Sequence, residues 1–142
     1  MKYDFENFYK KGKPLRAFVK KRLIGIAYDK TVKEAARRMV EFNISSITVI
    51  KREKVIGFFT EADLKKFVAE GRKPNTPINQ VMVTDLITVD VSIDIRKALE
   101  AMVDKNIKHL LVEEKGKIIG VVTFKDFLDF NRQKIETFIA RE

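Results

Sequence analysis

A threonine and an aspartate three residues apart occur twice, in the same phrase, in this 142-residue chain. Gly57 to Asp63 reads GFFTEAD and Gly120 to Asp126 reads GVVTFKD, so Thr60 matches Thr123 and Asp63 matches Asp126. At a strand-to-helix junction, a hydroxyl stands beside unpaired backbone N–H groups and the positive end of the helix dipole, which together favour an anion. One turn further on, a carboxylate can accept two hydrogen bonds from a sugar diol. Such a pair could hold opposite ends of a nucleoside phosphate. The same residues carry a second reading, because Thr-x-x-Asp is also a capping box in which the acid returns a bond to the cap's backbone. A repeated helix start repeats its cap, so duplication alone does not separate the two.

The phrase belongs to a longer repeat. From Pro14/Pro77 to Phe67/Phe130 the chain matches itself at an offset of 63 without a gap, and 15 of 54 positions are identical, among them Ala35/Ala98, Met39/Met102 and Asn43/Asn106. Two units of roughly 55 residues are each too small to fold alone with assurance and suited to packing together. In each, a short apolar segment (Leu23 to Ile26, Leu86 to Val89) precedes an amphipathic helix. Thr31 with Glu34, or Asp94, starts that helix, a stripe of Ala and Met forms its core face, and Asn43 or Asn106 offers a left-handed stop. Two apolar runs follow, Ile47 to Ile50 and Val55 to Thr60 in the first copy, joined by a polar turn at Lys51 to Lys54; Gly116 lies in the second copy's turn. A second helix starts at Thr60 or Thr123. The order is β-α-β-β-α, an α/β or α+β arrangement with helices covering a small sheet.

The repeats span 14–70 and 77–131, with Gly71 to Thr76 (GRKPNT) as a linker punctuated by Gly and Pro. An N-terminal extension, 1–13, carries Tyr3, Phe5, Phe8 and Tyr9 at a spacing that suits a short aromatic-faced helix. A C-terminal helical tail, 132–142, follows Phe127 and Phe130 and carries Ile135, Phe138 and Ile139.

Composition removes several chemistries. With no cysteine, disulfides, thiolate catalysis and cysteine-held metals are excluded, and the single histidine, His109, leaves no cluster for a zinc site. The N-terminus is too polar for a signal peptide and no apolar run approaches a membrane span, so a soluble cytoplasmic protein is expected. The net charge of +9 lies wholly in the first half: residues 1–72 hold 18 Lys/Arg against 9 Asp/Glu, and residues 73–142 hold 11 against 11. An anionic partner fits this asymmetry, and so does a solubilising face.

The β-α-β-β-α order, the Ala-x-x-x-Met helix ending in Asn-Ile, and the closing Gly-x-x-Thr-x-x-Asp, all duplicated, resemble a tandem pair of cystathionine-β-synthase (CBS) domains over nearly all of residues 14 to 130. The resemblance implies two pseudo-symmetric repeats packed through their sheets, modules that pair into homodimers, and clefts between repeats that bind an adenosine-containing ligand such as AMP, ADP, ATP or S-adenosylmethionine, with no obligatory cofactor. It also implies residue roles. Asp63 and Asp126 match the aspartate that takes bonds from ribose hydroxyls, and Thr60 and Thr123 the hydroxyl near phosphate. Lys108 and His109 fall where basic residues reach phosphate, with Ser45 and Ser46 their first-copy equivalents. Gly25 and Thr88 start the early strand, where backbone borders the adenine.

Each position also has an ordinary reading. His109, just ahead of the apolar run Leu110 to Val112, suits a plain hydrogen-bonded histidine, and Gly57 and Gly120 suit a bulge or tight packing. Phe58 and Phe59 replace Val121 and Val122, and such rings would fill the first cleft. The expected function is a regulatory or sensor module that binds an adenosine ligand and acts on a partner protein. The alternative is binding of nucleic acid or an acidic partner through the basic first half, although no recognition motif is evident. An enzyme is not expected, since no nucleophile–base pair, histidine ligand pair or phosphate loop occurs.

Overall fold

Residues 14–19 and 23–127 are described by a computed structural model of the chain. The aromatic N-terminal stretch, Lys20 to Arg22 and everything beyond Phe127 lie outside the described residues. The described chain divides into two compact units, one of residues 23–86 and one of residues 14–19 with 87–127.

In the first unit, β1 (Gly25–Ala27) leads to α1 (Val32–Phe42), β2 (Ser46–Lys51), β3 (Lys54–Thr60) and α2 (Glu61–Ala69). Thr31 starts α1 as expected: its Oγ1 accepts from the Glu34 backbone N–H at 3.1 Å, and Glu34 Oε2 accepts from the Thr31 N–H at 2.8 Å. That backbone bond holds the Glu34 carboxyl below its ordinary pKa. Val32, Ala35 and Met39 then recur on one face and are buried. Asn43, at φ 51°, ends the helix in the left-handed conformation that asparagine tolerates, and the Ile44 N–H bonds back to the Met39 carbonyl at 3.0 Å. The sheet order is β1-β2-β3, with β1 parallel and β3 antiparallel to β2. Arg52 and Glu53 turn the β2–β3 hairpin, both at positive φ, as a two-residue turn matched to strand twist requires. The core joins Ile26, Val32, Ala35, Met39, Ile47, Val49, Phe59, Phe67 and Ile78.

The second unit repeats this with β4 (Thr88–Asp90), α3 (Ile95–Lys105), β5 (His109–Glu114) and β6 (Lys117–Thr123), in the order β4-β5-β6, and residues 124–127 begin another helix. Its hairpin turn uses Lys115 and Gly116, again at positive φ. Asp94 caps α3 and Asn106 closes it at φ 51°. Its core contains Val91, Ile95, Ala98, Met102, Leu110, Val112, Val122 and Phe127, with the Phe18 ring packed 5.3 Å from that of Phe127.

The units and the sequence repeats do not divide the chain at the same places. Leu15, ahead of the first repeat's strand, is fully buried in the second unit, where its N–H bonds the Ile93 carbonyl at 3.0 Å. Its equivalent Ile78 is fully buried in the first unit and bonds the Lys30 carbonyl at 2.7 Å. Each short 3-10 turn, Leu15–Phe18 and Ile78–Gln80, thus closes the unit built from the other repeat. The stretch 71–76 is also part of the first unit: the Val32 and Lys33 N–H groups bond the Thr76 and Pro74 carbonyls at 2.9 and 3.0 Å, which satisfies donors at the start of α1.

Both sheets carry a bulge at the same place. Val49 pairs with Gly57 and Ile50 with Val55, so Ile56 has no opposite number, and Val112, Gly120, Glu113 and Ile118 repeat the pattern. Gly57 also meets tight packing, because a Cβ there would run into the side chain of Met82.

Candidate functional site

Strand register decides which candidate residues share a face. In β5 and β6, Leu110, Val112 and Val122 enter the core, so the alternate residues His109, Leu111, Val121 and Thr123 take the opposite face. His109 lies directly across the ladder from Thr123, and Thr88 pairs with Leu111 from the other side. Three of the candidate residues, Thr88, His109 and Thr123, therefore stand on one face of one small sheet. The first unit repeats the pattern with Gly25 beside Thr48 and Ser46 across from Thr60, while Ile47, Val49 and Phe59 enter its core.

This parity corrects one expectation. Phe59 is fully buried in the core and cannot fill a ligand cleft; only Phe58 shares the face of Thr60. His109 is likewise not ahead of its strand but is the strand's first residue. Thr48, on the same face as Ser46 and Thr60, is buried to 1% exposure, and its hydroxyl is satisfied by donating to the Ile24 carbonyl at 3.0 Å.

Both Thr-x-x-Asp phrases form complete capping boxes. Asp63 Oδ2 accepts from the Thr60 N–H at 2.9 Å and from its hydroxyl at 3.0 Å, and Thr60 Oγ1 accepts from the Asp63 N–H at 3.3 Å. Asp126 Oδ2 accepts from the Thr123 N–H at 2.9 Å, and Thr123 Oγ1 accepts from the Asp126 N–H at 3.2 Å. The capping reading therefore holds in both copies. Capping does not exclude ligand contact: each of the bonds accepted by these carboxylates uses Oδ2, and Oδ1 of Asp63 takes no bond from a described residue. A carboxylate held in this way is fixed in direction before any ligand arrives, which lowers the entropic cost of binding.

The residues before β2 and β5 join the same junctions through their backbones. The Glu61 N–H donates to the Ser45 carbonyl at 3.0 Å, and the Phe124 N–H donates to the Lys108 carbonyl at 3.0 Å. Lys108 is thereby anchored beside the helix start with its side chain exposed, next to His109 and the Thr123–Asp126 box. Sequence reasoning missed two further positions. Between the threonine and the aspartate, Glu61 and Ala62 stand where the second copy has Phe124 and Lys125, all four exposed, so the first junction has acids at Glu61 and Asp63 and the second has Lys125 before Asp126. The signal was present in the repeat itself, as TEAD against TFKD.

Gly25 and Thr88 open their strands as expected, in different surroundings. The Gly25 carbonyl accepts from the guanidinium of Arg38 at 2.6 Å, and a Cβ at Gly25 would run into the Ile50 side chain. The equivalents in the second unit are Ala101 and Thr88, which offer no guanidinium. Among the described residues no group of three or more His, Asp or Glu could hold a metal ion, and no helix is long and apolar enough to cross a membrane.

Comparison with known proteins agrees with this architecture. The family model for the CBS domain matches twice, over residues 15–70 and 78–132. An uncharacterised protein of Methanopyrus kandleri is 35% identical over 111 residues, which are 75% of this chain and 57% of that protein; the chain thus spans under two thirds of that relative's length. An inosine-5'-monophosphate dehydrogenase of Thermoplasma acidophilum is 34% identical over 77% of this chain but only 21% of the enzyme. Among solved structures, a conserved protein from Pyrococcus horikoshii superposes with a TM-score of 0.81 at 35% identity, covering 85% of this chain and 93% of that one. A CBS domain protein from Pyrobaculum aerophilum complexed with AMP gives 0.75 at 21% identity over 80% and 89% of the two chains. A CBS domain pair in complex with 5'-methylthioadenosine and S-adenosyl-L-methionine gives 0.78 at 22% over 86% and 98%. With two copies of the β-α-β-β-α unit, and the family model matched over both, the chain belongs to the CBS domain family.

Proposed function

We propose that this CBS domain pair is a regulatory module that binds an adenosine-containing ligand, and that the junction of β6 with the helix after it holds the phosphate of a phosphorylated one. The observation that carries the reading is the register pair His109/Thr123, with Lys108 bonded to that junction through its carbonyl. Together they gather a hydroxyl, an imidazole, an ammonium group and the Asp126 carboxylate at one end of one sheet. The ammonium group, the imidazole and the hydroxyl are hydrogen-bond donors that suit phosphate, and the pre-oriented carboxylate suits a ribose diol. Support from relatives is of the same chemical kind, since one solved CBS protein holds AMP and another holds 5'-methylthioadenosine with S-adenosyl-L-methionine. Binding that differs between two states of the chain would bias their equilibrium, which is the minimum a sensor requires. The module then acts on a partner protein and carries out no reaction itself. Calorimetry and thermal shift with AMP, ADP, ATP and S-adenosylmethionine test the reading. It expects saturable heat with at least one of them; silence from all four at millimolar concentration refutes it.

A further inference from the structure

We infer that the tip of the β2–β3 hairpin, Lys51 to Lys54, is a docking prong for an acidic segment of a partner protein. The inference stands apart from the adenosine reading, because this tip and the Thr60 junction lie at opposite ends of β3.

Two observations single this hairpin out, and the first is its backbone. Arg52 and Glu53 occupy the turn at φ 50° and 64°, where a Cβ crowds the neighbouring carbonyl and Asn-Gly or Asp-Gly is the relaxed choice. The equivalent turn of the second unit, Lys115 and Gly116, has a glycine at its second position. The first unit thus keeps two long charged side chains where the backbone disfavours both, and strain held at an exposed tip points to use of those side chains.

The second observation is charge. All four tip residues are exposed, and none has an ion-pair partner among the described residues. Lys51 lies directly across the ladder from Lys54, and like charges opposite one another are destabilising in the isolated chain. In the second unit the same positions pair opposite charges, Glu114 with Lys117, and Glu114 also receives Arg16 at 2.8 Å. Asp90 and Glu113, paired beside them, stand where the first unit has Ala27 and Ile50. The second hairpin therefore balances its charges internally, whereas the first leaves its cations unmatched. The Lys51 ammonium is held over the Tyr28 ring, 4.7 Å from its centroid, which fixes its direction before a partner arrives.

Three cations at an exposed tip match a cluster of carboxylates, one of which the Arg52 guanidinium can take bidentately. Glu53, between Arg52 and Lys54, decides against a nucleic acid. A phosphate chain draws its affinity from many successive contacts and is repelled by a carboxylate among them, whereas a protein segment can offer Glu53 a lysine or a backbone N–H.

The probes are a short labelled peptide carrying three glutamates and one lysine, and a single-stranded oligothymidylate. Each is titrated into the full chain at low salt, with amide chemical shifts and fluorescence anisotropy as readouts. The peptide should give saturable shifts centred on residues 51–54 and bind that tip more tightly than the oligonucleotide. Arg52→Asn with Glu53→Gly should raise the denaturant midpoint, because the turn relaxes, and should weaken the peptide about tenfold or more. Lys115→Ala with Lys117→Ala, at the equivalent tip, should leave peptide affinity within about twofold. Absence of saturable peptide shifts, shifts spread over α1 or the second hairpin, tighter binding of the oligonucleotide at the tip, or a relaxed hairpin that binds the peptide as well as the wild type overturns the inference. A midpoint that falls in the relaxed variant removes the strain argument and overturns it too. AMP binding is untouched by each of these outcomes, so the adenosine reading stands or fails separately.

Discussion

Replacing Asp126 or Asp63 by alanine separates the two tasks that one carboxylate performs in this fold. Each change removes the return bond to the cap's backbone, 2.9 Å in both copies, and the favourable charge in the first helical turn. Such a cap is worth about 1 kcal/mol. For a chain of this size that is a fall in melting temperature of roughly 2–4 °C. Domains of this kind have about 5–15 kcal/mol of stability, so either variant remains almost wholly folded at 25 °C. Any large loss of affinity at that temperature is therefore not unfolding. Loss of a charged acceptor from a ribose diol costs about 1.5–3 kcal/mol, a factor of roughly 10 to 150 in dissociation constant. The two variants should consequently lower the melting temperature by similar amounts, yet Asp126→Ala should weaken AMP by at least about tenfold while Asp63→Ala leaves it within about twofold. Thermal denaturation without ligand and calorimetry with AMP supply the two readouts. If both variants lose stability and neither loses affinity, the aspartates are caps alone and the ribose role assigned to Asp126 is wrong.

Three further outcomes follow from the fold. Leu15→Ala should cost about 2–5 kcal/mol because a fully buried leucine leaves a cavity, and hydrogen exchange should quicken in β5 before β2, with Ile78→Ala giving the converse order; equal acceleration in both sheets would contradict the exchanged packing of these residues. Glu53→Gly should raise stability by about 0.5 kcal/mol and Gly116→Ala should lower it by about 1 kcal/mol, since both positions have positive φ and a Cβ at Gly116 meets nothing; denaturant midpoints check both signs. Arg16, through its hydrogen bonds and charge, holds the Glu114 carboxyl below its ordinary value of 4.5. A depressed folded-state pKa adds stability above the unfolded value that is lost as pH falls through the folded one. The melting temperature should thus decline below about pH 4.5, and Arg16→Ala should flatten that decline.

Much of this was legible in the residues because local chemistry and the repeat agree. Thr31 with Glu34, Thr60 with Asp63, and Asn43 at a helix end specify caps whose geometry depends on residues three or four apart, and the structure forms each of them. The three-residue strands were read less well. Leu23 to Ile26 and Leu86 to Val89 were expected, whereas Gly25–Ala27 and Thr88–Asp90 form, because a short parallel edge strand has too few residues to show a period. The packing of Leu15 and Ile78 was illegible for a different reason: an offset of 63 is the same whichever unit each turn closes. Packing of Met82 against Gly57 is likewise tertiary and leaves no local mark. At the candidate site, the pairing of His109 with Thr123 needs the ladder register, whereas the exchanges of Glu61 for Phe124 and Ala62 for Lys125 are present in the aligned repeats and require only that charge be read between the repeated Thr and Asp.

The most direct measurement of the central claim is a chemical-shift map of the full chain titrated with AMP. The account predicts saturable shifts centred on Lys108, His109, Thr123 and Asp126, with smaller ones at Thr88. Absence of saturable shifts, or shifts centred on the exposed basic residues of α1 that weaken steeply with salt, would contradict it.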